Sequence, residues 1–139
     1  MGAEGAGNDD AVRGADLVLF AVKAEAAVDS AAELRQSIGS TPVLSVCAEL
    51  AFGPGGVKPT SEATSIARRI QDELDAPVAA GLHSLAASNL AEAPPDEDAF
   101  VCGDDEVAKR LALEGMTAVI VNVNKRYKAH AGLRLTGIS

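Results

Sequence analysis

Two hydrophobic periodicities take turns along this chain. Residues 16–22, Asp-Leu-Val-Leu-Phe-Ala-Val, form a short continuous apolar run, the pattern of a strand buried on both faces. From Lys23 to Ile38 the period lengthens. Ala27, Ala31, Leu34 and Ile38 share one helical face, with Glu25, Asp29 and Gln36 largely off it, and Gly39 supplies the stop. Pro42–Cys47 predicts a second strand, its proline at the start, where a missing N–H is tolerated. Residues 48–60, around Gly53-Pro54-Gly55-Gly56, read as a loop, long for a connection in a compact domain and of the kind that often carries function. Ser61 is expected to cap a helix running to about Leu74, with Ala63, Ile66, Ala67, Ile70 and Leu74 as its apolar stripe. Pro77–Leu82 predicts a third strand, 83–99 an irregular stretch, and Phe100-Val-Cys102 a fourth short strand. Gly103 then leads into Asp104-Asp105-Glu106, acids suited to the positive end of a helix. The pattern stays helical from about Glu106 to Tyr127, interrupted at Gly115. Strands alternating with helices predict an α/β domain with a largely parallel sheet. No internal repeat is visible.

Composition narrows the class. With 139 residues, 47% hydrophobic and 23% charged, the chain has the size and make-up of one globular domain. We read 1–14 as a frayed lead-in with Asn8 capping a one-turn helix that stops at Gly14, 15–113 as the α/β core, and 114–139 as a C-terminal helix and tail. The net charge of −8 opposes phosphate backbones, and 3% aromatic residues supply no base-stacking platform, so nucleic acid is not an expected partner. No apolar run reaches the roughly 18 residues of a membrane span. The start, Met1-Gly-Ala-Glu4, has neither a basic nor an apolar leader region, so the cytoplasm is the expected compartment. Cys47 and Cys102 are too few for a disulfide scaffold and, with His83 and His130 far apart, do not space a structural zinc site; each reads as a small buried hydrophobe.

Candidate chemistry is sparse. Gly2, Gly5 and Gly7 do not spell the dinucleotide fingerprint, and no strand feeds them. Asp104 and Asp105 have no further carboxylate or histidine to complete an acid/base pair or metal site, and read as a solvated helix start. Ser84 follows His83, but adjacent residues rarely face each other and no nucleophile elbow is present. His83 is better placed, directly after the third strand, because ligands of open α/β sheets bind outside the strands' carboxyl ends. Residues 23–25 and the 48–60 loop leave the same edge, and three segments converging on one rim predict a cleft.

One stretch is specific. Thr117-Ala-Val-Ile-Val-Asn-Val-Asn-Lys-Arg-Tyr-Lys-Ala-His-Ala-Gly-Leu-Arg-Leu-Thr136 resembles the C-terminal signature of the NADPH-dependent reductases of the deazaflavin coenzyme F420, the actinobacterial branch above all. Ala15–Val22, Leu82-His-Ser-Leu-Ala86 and Val101-Cys-Gly-Asp-Asp105 agree and come in the family's order, so the resemblance covers the chain from about residue 8. It implies a Rossmann-like domain that stacks NADP(H) on the deazaflavin, with direct hydride transfer and no catalytic side chain required. By the match, Ala21, Val22 and Lys23 form the strand-end turn that passes NADP. Ala48 to Phe52, with Glu49 and Leu50, form the loop that approaches the deazaflavin, and His83 lines its pocket. Thr117 starts the last helix near the hydride-transfer site, and Leu133 packs on the ring. The chain also departs from the family. It lacks the initial strand, Gly-rich loop, helix and second strand, and Lys109–Leu113 runs straight into Glu114, where the family has a further strand and turn. Gly115 stands where the family carries a serine. The expectation is therefore a truncated Rossmann-like parallel sheet with a C-terminal helix, and a homodimer formed through the sheet edge that the missing strand would leave open. The alternative function is a non-catalytic binding member of the family.

Overall fold

The computed structural model describes residues 5–59, 64–83, 98–114 and 134–138. The elements run α1 (Asn8–Val12), β1 (Val18–Phe20), α2 (Ala24–Ile38), β2 (Val43–Ser45), β3 (Leu50–Gly53), β4 (Gly56–Pro59), α3 (Ile66–Glu73), β5 (Val78–Gly81), β6 (Asp98–Cys102), α4 (106–114) and β7 (Arg134–Ile138). A five-stranded sheet has the order β1-β2-β5-β6-β7, and β3 pairs with β4 in a separate hairpin. β1, β2 and β5 are mutually parallel, with Val18 opposite Val43 and Val43 opposite Val78. β6 is antiparallel to β5 and parallel to β7.

The strand alternation divides the core into two layers. On one face Val18, Phe20 and Val43 pack against Ala27, Ala31, Leu34 and Ile38 of α2 and Ile66 and Ile70 of α3. On the other, Leu44, Ala79, Ala99 and Val101 pack against Ala108 and Ala112 of α4. The α2 stripe is the one its periodicity predicts, and Gly39 ends the helix at φ 58°.

Several boundaries differ from the sequence reading. Residues 48–60 are mostly a hairpin: Pro54-Gly55 makes a two-residue turn and Phe52 pairs with Val57. The helix expected from Ser61 starts at Ile66, capped by Ser65, whose hydroxyl accepts from the Arg68 N–H at 3.3 Å; Ser61 and Ala63 lie outside the described residues. The cap of α1 is Gly7 rather than Asn8. That lead-in is seated rather than frayed: Val12 is buried and the Ser37 hydroxyl donates to Asp9 on α1. Asp105 caps α4 by accepting from the Ala108 N–H at 2.7 Å. Cys102, expected to be buried, is exposed, because Phe100 and Cys102 of β6 face away from α4 while Ala99 and Val101 face it. The tail contributes a strand at 134–138, where the sequence reading placed only a helix and tail. Residues 115–133 lie outside the described residues.

Candidate functional site

Because β1, β2 and β5 are parallel, their carboxyl ends share one edge, and the chain segments that leave them meet there. After β1, Ala21 is exposed and Val22 half-buried, and the exposed Lys23 sits at the N-cap of α2 with extended backbone. After β2, Cys47 is 2% exposed. Its thiol donates to the Val22 carbonyl at 3.2 Å and approaches the Phe20 carbonyl at 3.5 Å. After β5, Leu82 takes a left-handed backbone, φ 63°. A leucine there costs about 1–3 kcal/mol, the kind of strain held at functional sites. The next residue, His83, reaches back with Nε2 3.0 Å from the Cys47 carbonyl. A carbonyl only accepts, so the Nε2–H of His83 is the donor in this contact. Cys47 thus links all three strand ends. The thiol holds the β1 turn and the carbonyl holds the β5 turn.

The hairpin leaves the same rim. Glu49 pairs with Arg69 of α3, both side chains largely buried, which ties the start of β3 to the scaffold. Beyond that anchor every residue of β3 is exposed; Leu50 is 48% exposed and Phe52 78%, with Val57 opposite Phe52 on the same ribbon face. Of the residues singled out in the sequence, Val22 and His83 meet through Cys47, and Ala21 and Lys23 flank that junction. Glu49 turns to Arg69, and Leu50 begins the ribbon. Thr117 and Leu133 lie outside the described residues. Cys47, Leu82 and Arg69 did not stand out in the sequence as site-builders. The only local hint at Cys47 was its place at a strand's carboxyl end.

A separate groove of about 410 Å³ lies along β5, between the start of α3 and residues 102–105. Its lining includes Arg68, Gln71, Cys102, Asp104 and Asp105 but neither Val22 nor His83. Two of its charges are already used: Arg68 pairs with Asp72 and Asp105 caps α4. Among the described residues, the one pair with shifted ionisation lies before β5 rather than after it. Arg35 near the end of α2 grips Asp75 through two hydrogen bonds, 2.9 and 2.6 Å, which hold the carboxyl below and the guanidinium above its ordinary range. Among the described residues no three His, Cys, Asp or Glu side chains cluster to hold a metal, and no helix is long and apolar enough to cross a membrane.

No known family model matches the chain. Among solved structures it is similar to a hypothetical protein, SMa0349, from Sinorhizobium meliloti, with TM-score 0.64 and 20% identity over 92% of this chain and 58% of that one. It is also similar to a glycerol-3-phosphate dehydrogenase of Plasmodium falciparum, with TM-score 0.64 and 15% identity over 96% of this chain and 33% of that one. A third likeness is DsGPDH of Dunaliella salina, with TM-score 0.63 and 13% identity over 94% of this chain and 20% of that one. These likenesses define the class: a Rossmann-like α/β fold. The chain spans between a fifth and three-fifths of the length of the structures it matches.

Proposed function

We propose that this chain belongs to a nicotinamide-dependent oxidoreductase, and specifically to one that transfers hydride between NADP(H) and coenzyme F420. The observation that carries the reading is the Cys47 junction. It gathers the turn after β1, the loop after β2 and His83 after β5 at the carboxyl edge, where Rossmann-like sheets bind their ligands. The C-terminal string Thr117–Thr136 supplies the choice of deazaflavin.

The residues fit the flat-ring part of such a cofactor pair. The exposed faces of Leu50 and Phe52 offer apolar surface beside the rim, and the His83 ring is fixed by its Nε2–H bond. They do not fit the pyrophosphate: α2, the helix that follows β1, starts after Ala21-Val22-Lys23 without a glycine-rich turn. This absence supports a second reading, in which the chain binds deazaflavin without turnover. Leu50, Phe52 and His83 would hold the deazaflavin ring and the turn at Ala21–Lys23 the nicotinamide, and the pair would supply hydride-transfer chemistry with solvent as the source of the proton. The protein's own part is to hold the rings parallel and dry.

Mixing the chain with NADPH and oxidised F420 tests both readings. Bleaching of the deazaflavin's visible band is the expected result. Quenching of deazaflavin fluorescence without bleaching supports the second reading, and neither signal at about 100 μM chain overturns both. His83→Ala is expected to weaken deazaflavin binding about tenfold with the circular dichroism spectrum unchanged.

A further inference from the structure

The Cys47 junction carries one step beyond binding. The ladder between β1 and β2 ends with Phe20 opposite Ser45 and the Val46 N–H donating to the Phe20 carbonyl at 3.2 Å. Residues 21–23 therefore leave the sheet beyond its last rung. The entry to α2 gives them no side-chain hold either. Lys23 stands at the N-cap and makes no capping bond, where Ser, Thr, Asp or Asn would supply one. What reaches past the ladder is the Cys47 thiol, which donates to the Val22 carbonyl at 3.2 Å. The β5 side is built the same way. Its ladder with β2 ends at Ala80 opposite Ser45. Leu82 then takes its strained left-handed backbone, and the His83 Nε2–H is brought to the Cys47 carbonyl, 3.0 Å away. Two turns beyond the parallel ladders are thus tied to two groups of one residue in the buried core.

We propose that Cys47 is a positioning residue. Through its thiol and its carbonyl it sets the separation between the turn at Ala21–Lys23 and the His83 ring, and so the separation of the two cofactor rings that those segments hold. The proposal rests on the hydride-transfer reading above. It concerns the thiol as a hydrogen-bond donor, not as a filler of space. A thiol suits the place, because cysteine is small, tolerates an apolar core and still donates. Cys47 acts through Val22 and His83 rather than on a cofactor. One hydride passes between the rings and solvent supplies the proton, so Cys47 gains and loses nothing in turnover. Transfer is steep in the separation of the reacting atoms, and a misplacement of about 1 Å costs about a hundredfold in rate. Binding of either cofactor by itself needs only its own turn. Loss of the donor therefore slows the transfer step while each cofactor still binds.

Two substitutions separate donation from volume. Cys47→Val keeps the bulk and removes the donor, whereas Cys47→Ser keeps the donor and loses bulk. With NADPH and oxidised F420, Cys47→Val is expected to slow single-turnover bleaching about tenfold, with the Kd of each cofactor within about twofold of the parent's. Cys47→Ser is expected to return the rate to within about threefold of the parent. A valine variant as fast as the parent overturns the proposal. So does a serine variant as slow as the valine one, or a rate loss fully accounted for by weaker binding. NMR of the cofactor-free chain tests the link between the turns separately. Cys47→Val is expected to shift the Val22 and Lys23 amide signals and the His83 ring signals together, and Cys47→Ser to leave both sets near the parent's. The exposed His83 offers an approach from the far side of the junction. His83→Ala is expected to shift the Val22 and Lys23 amides, and if they stay in place the proposal fails, even where Cys47→Val does not fold. A parent that shows all of these shifts but no bleaching overturns the hydride-transfer reading alone and supports the coupling of the two turns.

Discussion

Replacing Gly81 by alanine would put a methyl carbon 3.0 Å from the Phe100 carbonyl oxygen, 3.2 Å from Val101 Cγ2 and 3.3 Å from Leu44 Cδ1. The first neighbour is backbone of the paired strand β6, and the other two side chains are at most 1% exposed, so none has room to yield. Forcing a methylene into so tight a site costs about 1–3 kcal/mol. Alanine also narrows the unfolded ensemble, which returns about 0.4–1 kcal/mol. The expected net loss is therefore about 1–2 kcal/mol. With a urea slope of roughly 1–3 kcal/mol/M, the unfolding midpoint falls by roughly half a molar to one molar. Gly53→Ala is the control. Gly53 has ordinary backbone and nothing within 4 Å of the added carbon, so only the unfolded-state gain operates and the midpoint holds or rises slightly. A Gly81→Ala midpoint at or above that of the parent chain would falsify the claim that β5 and β6 approach too closely here for any side chain.

Other substitutions probe the scaffold behind the rim. Ile70, fully buried between α3 and the sheet, should cost about 2–5 kcal/mol on truncation to alanine, read from the same urea curves. Ser65→Ala removes the α3 cap and should cost about 1 kcal/mol, while Ser65→Asp keeps it. The Gln71 amide donates to the Ala76 carbonyl at 2.8 Å and accepts from the Val78 N–H at 2.7 Å. Gln71→Ala therefore orphans two groups at the start of β5 and should cost about 1–3 kcal/mol, with faster hydrogen exchange at Val78. The hydrogen bond from Arg35, opposed by partial desolvation, lowers the Asp75 pKa in the folded state. A depressed carboxylate adds stability above its unfolded pKa and loses it as pH falls through the folded value, so the contribution fades below about pH 4. It is small, because both groups are solvent-exposed and screened by salt. An NMR titration should place the Asp75 midpoint below the ordinary aspartate value, and Arg35→Ala should move it back up.

What the sequence revealed and what it hid follow from the range of the forces involved. The α2 stripe of Ala27, Ala31, Leu34 and Ile38 is a local periodicity, and the structure buries all four. The β3–β4 hairpin was also local information, in the alternation Leu50, Phe52, Val57 around Pro54-Gly55, but the glycines made it read as plain loop. Ser61 and Ser65 both precede apolar residues at helical spacing, and only packing decides which one caps; Ile66 is buried, which favours a start at Ser65. The Cys47 junction was beyond local reading. It needs a thiol to meet carbonyls 25 and 27 residues earlier, and a histidine 36 residues later to meet its own carbonyl. The left-handed Leu82 that turns the chain toward His83 has no signature at all, since leucine is disfavoured in that conformation.

The make-up of the rim constrains what it can hold. Its inner groups are a thiol, backbone carbonyls and one imidazole, all mutually bonded, and the nearby ion pair Glu49–Arg69 neutralises itself. Lys23 then remains as a cation at the turn after β1, against a molecule of net charge −8. Such a rim gains little from attracting charge and much from covering apolar area with Leu50 and Phe52. A flat, largely apolar ring is matched by that balance; a bare phosphate is not. Orientation then falls to fixed geometry. The three strand ends cannot shift independently while Cys47 holds two of them, and the hairpin beyond Glu49 is the part of the site left free of the core. A rigid inner edge with an exposed apolar ribbon above it suits a ligand that is covered face-on after it arrives.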